Sequence, residues 1–386
     1  MRRFLIVAGE KSGENYGAAV VRAYRGLDPK ARFFGVGGRN MAEAGVDILV
    51  PMKALAVVGL AEVLSEVPRI RRILASLEEE ARRRKPAAAV LIDSPDFNLR
   101  LAKRLMAVGV PVLYYIGPTV WAWRRGRLRT VRARVRKMCL IFPFEEEIYR
   151  KAGVPARFVG HPLLERVKVR FGRDEFLSRY GLDPGRPLIS MMPGSRRSEV
   201  LRHLPTLVEA ARRLRKDRPA QFLLLQAEDL DPSIFRACLP RDDPDFRLLR
   251  EDGYEAMASS DLVLSACGTA NLESALLGTP LIAFYRLSRL TYALGRPFVR
   301  IGRYSIVNIL AGRELVPELI QGRFHARSVA FEAGRLLDDP ERRTAMRAGF
   351  RSIRRSLGTE DASGNVAREL AALAGERGGF RTPAEA

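Results

Sequence analysis

Short, nearly unbroken apolar runs recur along this chain, each followed by a stretch in which apolar residues return every third or fourth position. The runs Phe4–Ala8, Ala31–Val36, Ala88–Ile92, Val112–Ile116, Met138–Phe142 and Ala156–Val159 predict a first series of strands. Pro187–Met192, Phe222–Gln226, Leu262–Ser265 and Pro280–Tyr285 predict a second. The helical spacing lies between them, in Asn15–Gly26, Pro68–Lys85, Leu99–Ala107, Phe144–Ala152, Glu199–Asp217 and Asn271–Leu277. Apolar runs without polar alternation suit strands buried on both faces, and strands that alternate with helices predict parallel sheets with helices packed on each side. The first series closes near Gly160-His161-Pro162 and the second opens at Pro187. The expected fold is therefore α/β, with two Rossmann-like domains facing a cleft. Their expected bounds are 1–165 and 166–340, with C-terminal helices and a tail over 341–386. The arginine-rich helices of about Pro340–Leu373 have no strand to pair with and are expected to pack across domains or subunits, which would permit a homodimer by C-terminal exchange. Ligands of such sheets bind beyond the carboxyl ends of the strands.

One segment departs from the pattern. Within Leu55–Leu77 apolar residues fall at 60, 63, 64, 67 and then at 70, 73, 74, 77, a helical spacing interrupted at Pro68. A core-facing amphipathic helix pair accounts for it. So does a helix lying in a membrane interface, because Val57 and Val58 widen the apolar face formed with Leu60, Val63, Leu64 and Val67, and arginines follow at once.

Composition narrows the class. At 386 residues, with 47% hydrophobic and 28% charged side chains, the chain is long enough for two folded domains and unlike a disordered one. No uncharged apolar run reaches the ~20 residues that a spanning helix needs. Cys139, Cys238 and Cys267 are odd in number and widely spaced, which fits a reducing cytoplasm and argues against disulfides or a zinc site. The formal charge of +22 is mostly arginine; solvated helix faces explain part of it, and an anionic membrane surface, phosphorylated ligands or nucleic acid the rest. No recognised nucleic-acid module accompanies it, so nucleic acid is not an expected partner.

The chemistry is concentrated at strand ends. Leu188–Met192 runs into Pro193-Gly194-Ser195-Arg196 and then a helix, a junction suited to an anion: glycine permits the turn, the first helical N–H groups lack partners, and Arg196 offers a fork. A second such junction, Gly268-Thr269, precedes the helix bearing Glu273, which is placed to accept from sugar hydroxyls. Together they suggest a sugar nucleotide. Gly9-Glu10-Lys11-Ser12-Gly13-Glu14 is not a Walker loop, and Gly35-Val36-Gly37-Gly38 lacks the third dinucleotide-fingerprint glycine, so no cofactor is expected. At the end of Ala88–Ile92 stand Asp93, Asp96 and Asn98; Asp93 reads as a helix cap and Asp96 as the better candidate for a general base. Both tryptophans, Trp121 and Trp123, lie beside Arg124 in a loop suited to a sugar and a phosphate. His161, His203 and His325 are isolated, and Asp229-Leu230-Asp231 reads as a surface loop, so no metal is expected.

These pieces resemble lipid-A-disaccharide synthase, an inverting glycosyltransferase of the two-Rossmann-domain (GT-B) type. The landmarks run through nearly the whole chain: Ala8–Glu14, Gly59–Leu64, Ile92–Asn98, Pro118–Arg124, Phe142–Glu145, Val159–Pro162, Pro193–Arg196, Gly268–Glu273 and Asn308–Leu315. Ser94-Pro95-Asp96-Phe97-Asn98 and Trp121-Ala122-Trp123-Arg124, in this order, are the specific ones. Glu14 stands where the family usually has Asp. The resemblance implies transfer from UDP-2,3-diacylglucosamine to 2,3-diacylglucosamine 1-phosphate (lipid X), giving a tetraacyl disaccharide 1-phosphate and UDP without a metal. Gly194, Ser195, Arg196, Gly268, Thr269, Glu273 and Asn308 would then form the donor site, with Asp96, Arg196 and Asn308 catalytic. Ser12, Gly13, Glu14, Asp93, Asn98, Trp121, Trp123 and Arg124 would face the acceptor. Acylated substrates also favour the membrane reading of Leu55–Leu77, on the inner face of a Gram-negative inner membrane. A UDP-N-acetylglucosamine epimerase is the competing expectation for the same architecture.

Overall fold

The structure, a computed structural model, describes residues 1–55, 63–122, 126–227, 230–240, 243–288, 291–293 and 302–375, the backbone alone at 63–66. It divides into two compact units, Met1–Pro162 together with the chain from Leu357 onward, and Leu163–Ser356.

The first unit is built on a parallel sheet of seven strands among the described residues: β1 (Arg3–Ala8), β2 (Arg32–Gly37), β3 (Val46–Pro51), β4 (Ala88–Ile92), β5 (Val112–Tyr115), β6 (Lys137–Leu140) and β7 (Ala156–Phe158). Their order is β3-β2-β1-β4-β5-β6-β7. The inner strands are apolar because helices cover both faces: every residue of β4 is buried, as are Phe4–Ala8 of β1. The second unit repeats the plan with β8 (Leu188–Met192), β9 (Gln221–Leu225), β10 (Phe246–Leu249), β11 (Leu262–Ala266), β12 (Leu281–Tyr285) and β13 (Glu318–Ile320), ordered β10-β9-β8-β11-β12-β13. Strand order reverses between β1 and β4 in one unit and between β8 and β11 in the other. Open parallel sheets bind ligands at such reversals.

Three strands go beyond the sequence expectation: β3, β10 and β13. Each is an edge strand of its sheet, paired on one side only. The stretch Leu55–Leu77 resolves in part. A single helix, Val63–Arg84, continues through Pro68, and Leu74 and Leu77 are buried against the first unit's core with Ile70 and Ile73 beside them. Val67 is half-buried. The second half of the stretch therefore faces protein. Val57, Val58 and Leu60 lie outside the described residues.

The segment expected as a separate piece, 341–386, divides at Leu357. The helix Pro340–Ser356 packs on the second unit, against the helices Thr269–Leu276 and Ile306–Ala311. The following helix, Ala362–Gly375, packs on the first unit, against the helix Lys11–Leu27 and β4 to β6. Its apolar face, Val366, Ala367 and Leu370, is fully buried there. Glu369 accepts ion pairs from Lys137 and Arg157, and Asn365 Nδ2 donates to the Val159 carbonyl at 2.9 Å. Within one chain, then, this helix finds its partner in its own first unit. Among the described residues no helix is long and apolar enough to cross a membrane.

Candidate active site

In the first unit β1 and β4 run side by side, Ala8 opposite Ile92, and their ends carry the candidate acceptor residues. Gly9 is required by close approach: a Cβ there would fall 2.4 Å from Ser94 Oγ. The chain leaves β4 through two consecutive left-handed residues, Asp93 (φ 49°) and Ser94 (φ 44°), a costly conformation for side-chain-bearing residues. It is held from several sides. The Asp93 N–H donates to the Tyr115 carbonyl at 3.0 Å, and the Asp93 carbonyl accepts from Asn98 Nδ2 at 2.7 Å and from the Tyr114 hydroxyl. Asn98 is fully buried, and its Nδ2 also reaches the Ile92 carbonyl. Asn98 thus shapes the turn through its amide nitrogen.

The two carboxylates of this loop are placed differently. Asp93 is half-buried, and its carboxyl is pushed up to about 6, first by burial and then by the neighbouring charge of Glu10. Asp96 stands in the first turn of the helix Pro95–Ala107, three-quarters exposed and ion-paired with Arg127. Ser12 and Gly13 lie in the first turn of Lys11–Leu27, Gly13 packed on Ile92. Glu14, expected at the acceptor, is fully buried: Oε1 accepts from the Asn40 N–H at 2.8 Å, and Lys11 Nζ stands 3.4 Å from Oε2. It fastens the helix to the first turn of the short helix Arg39–Glu43 that follows β2.

Trp121 is half-buried and also tied inward. Its indole N–H donates to Glu145 Oε1 at 3.1 Å, and its ring meets Phe144 edge to face. Glu145, one of the family landmarks but not a candidate site residue, is buried, and burial pushes its carboxyl up to about 7. The Tyr149 hydroxyl donates to the Pro118 carbonyl at 3.1 Å, securing the same loop. Trp123 and Arg124 lie outside the described residues.

The second unit carries the candidate donor site. β8 and β11 pair with Met192 opposite Ser265, so the loops that follow them emerge as neighbours. Gly194 adopts φ 135°, and a Cβ on it would fall 2.5 Å from Glu199 Oε2. That oxygen accepts the Ser195 and Arg196 N–H groups at 3.1 and 3.3 Å. These two junction amides are therefore taken by the chain's own carboxylate. The helix Arg197–Asp217 still opens with the Arg197 and Ser198 N–H groups, to which no acceptor is bonded among the described residues. The Arg196 side chain is 68% exposed, so its guanidinium remains available.

After β11, Gly268 and Thr269 are exposed and the helix Thr269–Leu276 begins. Glu273 is buried; burial raises its carboxyl, opposed by the Arg166 charge and by the Tyr254 hydroxyl, which donates to Oε1 at 3.0 Å. Asn308, expected to line the donor site, is fully buried with its amide spent. Nδ2 donates to the Val316 carbonyl and Glu318 Oε1, both at 2.8 Å, and Oδ1 accepts the Leu315 and Val316 N–H groups at 2.7 and 2.9 Å. An amide with both ends engaged shapes its loop; it has nothing left to offer a ligand.

Sequence reading missed His203 altogether as a contributor. It is fully buried, with Nδ1 2.7 Å from the Pro193 carbonyl. A carbonyl can only accept, so Nδ1 carries the proton; Nε2 stands 3.1 Å from both the Arg286 nitrogen and its carbonyl oxygen, and in the neutral ring it accepts the Arg286 N–H. Burial lowers the imidazole's affinity for a second proton. Inside the helix and distant in sequence from Arg286, it gave no signal.

Comparison with known proteins identifies the family and the fold. A family model described as lipid-A-disaccharide synthetase matches residues 4–372. The lipid-A-disaccharide synthase of Geobacter sulfurreducens is 43% identical over 376 residues, covering 97% of this chain and 98% of that protein. That of Koribacter versatilis is 45% identical over 381 residues, covering 97% and 99%. Among solved structures, UDP-GlcNAc 2-epimerase from Neisseria meningitidis bound to UDP-GlcNAc superposes with TM-score 0.67 at 14% identity, covering 96% of this chain and 100% of that one. Acinetobacter baumannii MurG superposes with TM-score 0.59 at 13% identity, covering 96% and 100%. At such identities the superpositions bear on the fold, which is GT-B.

Proposed function

This chain belongs to the lipid-A-disaccharide synthase family and is a glycosyltransferase of lipid A biosynthesis, and from that premise we propose that it joins UDP-2,3-diacylglucosamine to lipid X with inversion at the anomeric carbon. The second unit would hold the donor. Arg196 and the Arg197 and Ser198 N–H groups would meet the diphosphate, and Glu273, one oxygen held by Tyr254, would turn the other to the ribose. The first unit would hold the acceptor at the ends of β1 and β4.

We assign the base to Asp93 in place of Asp96. A base works best with a pKa near the working pH, and the Asp93 carboxyl lies at about 6 in a rigidly held turn at the reversal of strand order. Asp96 faces solvent and is committed to Arg127. In the proposed step the acceptor hydroxyl gives its proton to Asp93 and its oxygen bonds to the anomeric carbon. The bond from that carbon to UDP breaks, and UDP leaves with the electron pair. Arg196 and the helix N-terminus neutralise the departing charge, so the reading requires no metal.

The observation that carries the proposal is that Arg196 and the helix bearing Glu273 follow adjacent paired strands, in a chain matching this family almost end to end. Mass spectrometry of a reaction containing both acylated sugars tests it. The tetraacyl disaccharide 1-phosphate should form only when both are present. Epimerised UDP-sugar formed without acceptor, and no disaccharide, would overturn it.

A further inference from the structure

We propose that Glu199 is a positioning residue for the donor's diphosphate, a fixed internal carboxylate that sets the direction of the Arg196 guanidinium before any ligand arrives. The inference rests on the second unit being the nucleotide site.

Glu199 is held on every side. Its Oε2 accepts the Ser195 and Arg196 N–H groups, its Oε1 accepts the Tyr285 hydroxyl at 2.8 Å, and Gly194 lies where any side chain would strike it. Its side chain is only 13% exposed, so it cannot swing away without abandoning three hydrogen bonds in a confined space. The Arg196 guanidinium stands 3.8 Å from Oε1. This carboxylate therefore does two things to the loop. It withdraws two N–H groups from the ligand, leaving Arg197 and Ser198 to donate, and it anchors the root of the arginine.

A second strut supports the other end of the loop. His203 binds the Pro193 carbonyl on one side and the Arg286 N–H on the other. Both struts thus end on consecutive residues, Tyr285 and Arg286, at the exit of β12. In the sheet β12 is separated from β8 by β11, the strand that leads to Glu273. The loop after β8 is consequently fixed to a point beyond the Glu273 strand, so the protein itself sets the spacing of the guanidinium from Glu273. Donors fixed in advance lose little on meeting a ligand. The cost is a negative charge beside an anion site, and a substitution that keeps the shape but removes the charge separates the two effects.

The test measures UDP binding by calorimetry, and KM for donor and acceptor, in the full chain and in Glu199→Gln, Glu199→Ala and Tyr285→Phe, each checked for thermal unfolding. A glutamine oxygen can still accept the loop N–H groups and its amide can face the Tyr285 oxygen. Glu199→Ala should weaken UDP binding and raise the donor KM by about tenfold or more, leaving the acceptor KM unchanged, and Glu199→Gln should restore most of the loss. Tyr285→Phe should show a smaller loss in the same direction, about threefold, and carries the test if Glu199→Ala does not fold. UDP affinity unchanged in Tyr285→Phe and Glu199→Ala overturns the proposal while leaving the nucleotide site intact. A glutamine variant as impaired as alanine also overturns it, since charge and not position would then be needed. If the unaltered chain takes up no UDP, the functional reading falls and this inference with it.

Discussion

At the scale of single residues, Asp93, the proposed base, combines a raised carboxyl with a strained backbone. A carboxyl raised to about 6 is protonated in the folded chain at pH values where the unfolded chain has already lost its proton. Between about pH 4 and 6 the native state binds more protons, so this residue's contribution to stability falls as pH rises through that window and stays low above it. Two outcomes follow. Turnover should drop on the acid side with a limb near pH 6, where the base becomes protonated. Asp93→Asn should abolish turnover, leave UDP affinity within about twofold, and raise the unfolding temperature at neutral pH, with no such gain below about pH 4. Asp96→Asn should retain most of its activity, because its carboxylate is exposed and paired with Arg127. A pH–rate profile and calorimetric melts of the two variants check both. An acid limb that survives in Asp93→Asn with activity intact would return the base to Asp96.

At the scale of elements, the two units use one device twice. Asn98 donates to the carbonyls of Ile92 and Asp93, six and five residues back at the end of β4. Asn271 donates to Ser265 Oγ and the Ala266 carbonyl at the end of β11, again six and five residues back. Both amides are fully buried, and both leave Oδ1 without a hydrogen bond among the described residues. Each sits just past the reversal of strand order and holds a turn that the helix alone could not. Truncation would strand the buried carbonyls, so Asn98→Ala and Asn271→Ala should each cost about 1–3 kcal/mol, read from denaturant midpoints at unchanged slope. Much of this level was legible in the sequence. All ten apolar runs read as strands lie in sheets, because a strand buried on both faces leaves an unbroken apolar signature. The strands not foreseen, β3, β10 and β13, are edges, where polar residues such as Asp47, Arg247 and Glu318 are tolerated and the signature is broken. Site residues divided on the same principle. The sequence located the loops that end β4, β8 and β11, but could not tell an outward side chain from an inward one. Asn98, Asn308 and Glu14 therefore read as ligand contacts, although the Asn98 and Asn308 amide nitrogens and Glu14 Oε1 bind backbone groups. The struts from Glu199 and His203 to Tyr285 and Arg286 gave no signal, since those partners lie more than eighty residues away in sequence.

At the scale of the whole molecule, the excess of positive charge and the apolar start of the Val63–Arg84 helix bear on how acylated substrates are met. Ile70, Ile73, Leu74 and Leu77 are used by the core, so any interfacial face must come from the residues before Val67. Serine at Val57, Val58, Val63 and Leu64 should weaken sedimentation with anionic vesicles and leave UDP affinity unchanged, whereas serine at Leu74 or Leu77 should destabilise the first unit instead. Equal sedimentation of the first variant and the parent would remove the membrane contact from that segment. The helix Ala362–Gly375 has a different kind of consequence. It is the last helix among the described residues yet packs over β4 to β6, strands that emerge from the ribosome some 250 residues earlier. The second unit, Leu163–Ser356, is contiguous and can mature during translation. The first must wait as an unfinished sheet, its oily face bare, until that helix is made. A nascent chain halted short of Leu357 therefore leaves a first unit that has never been whole.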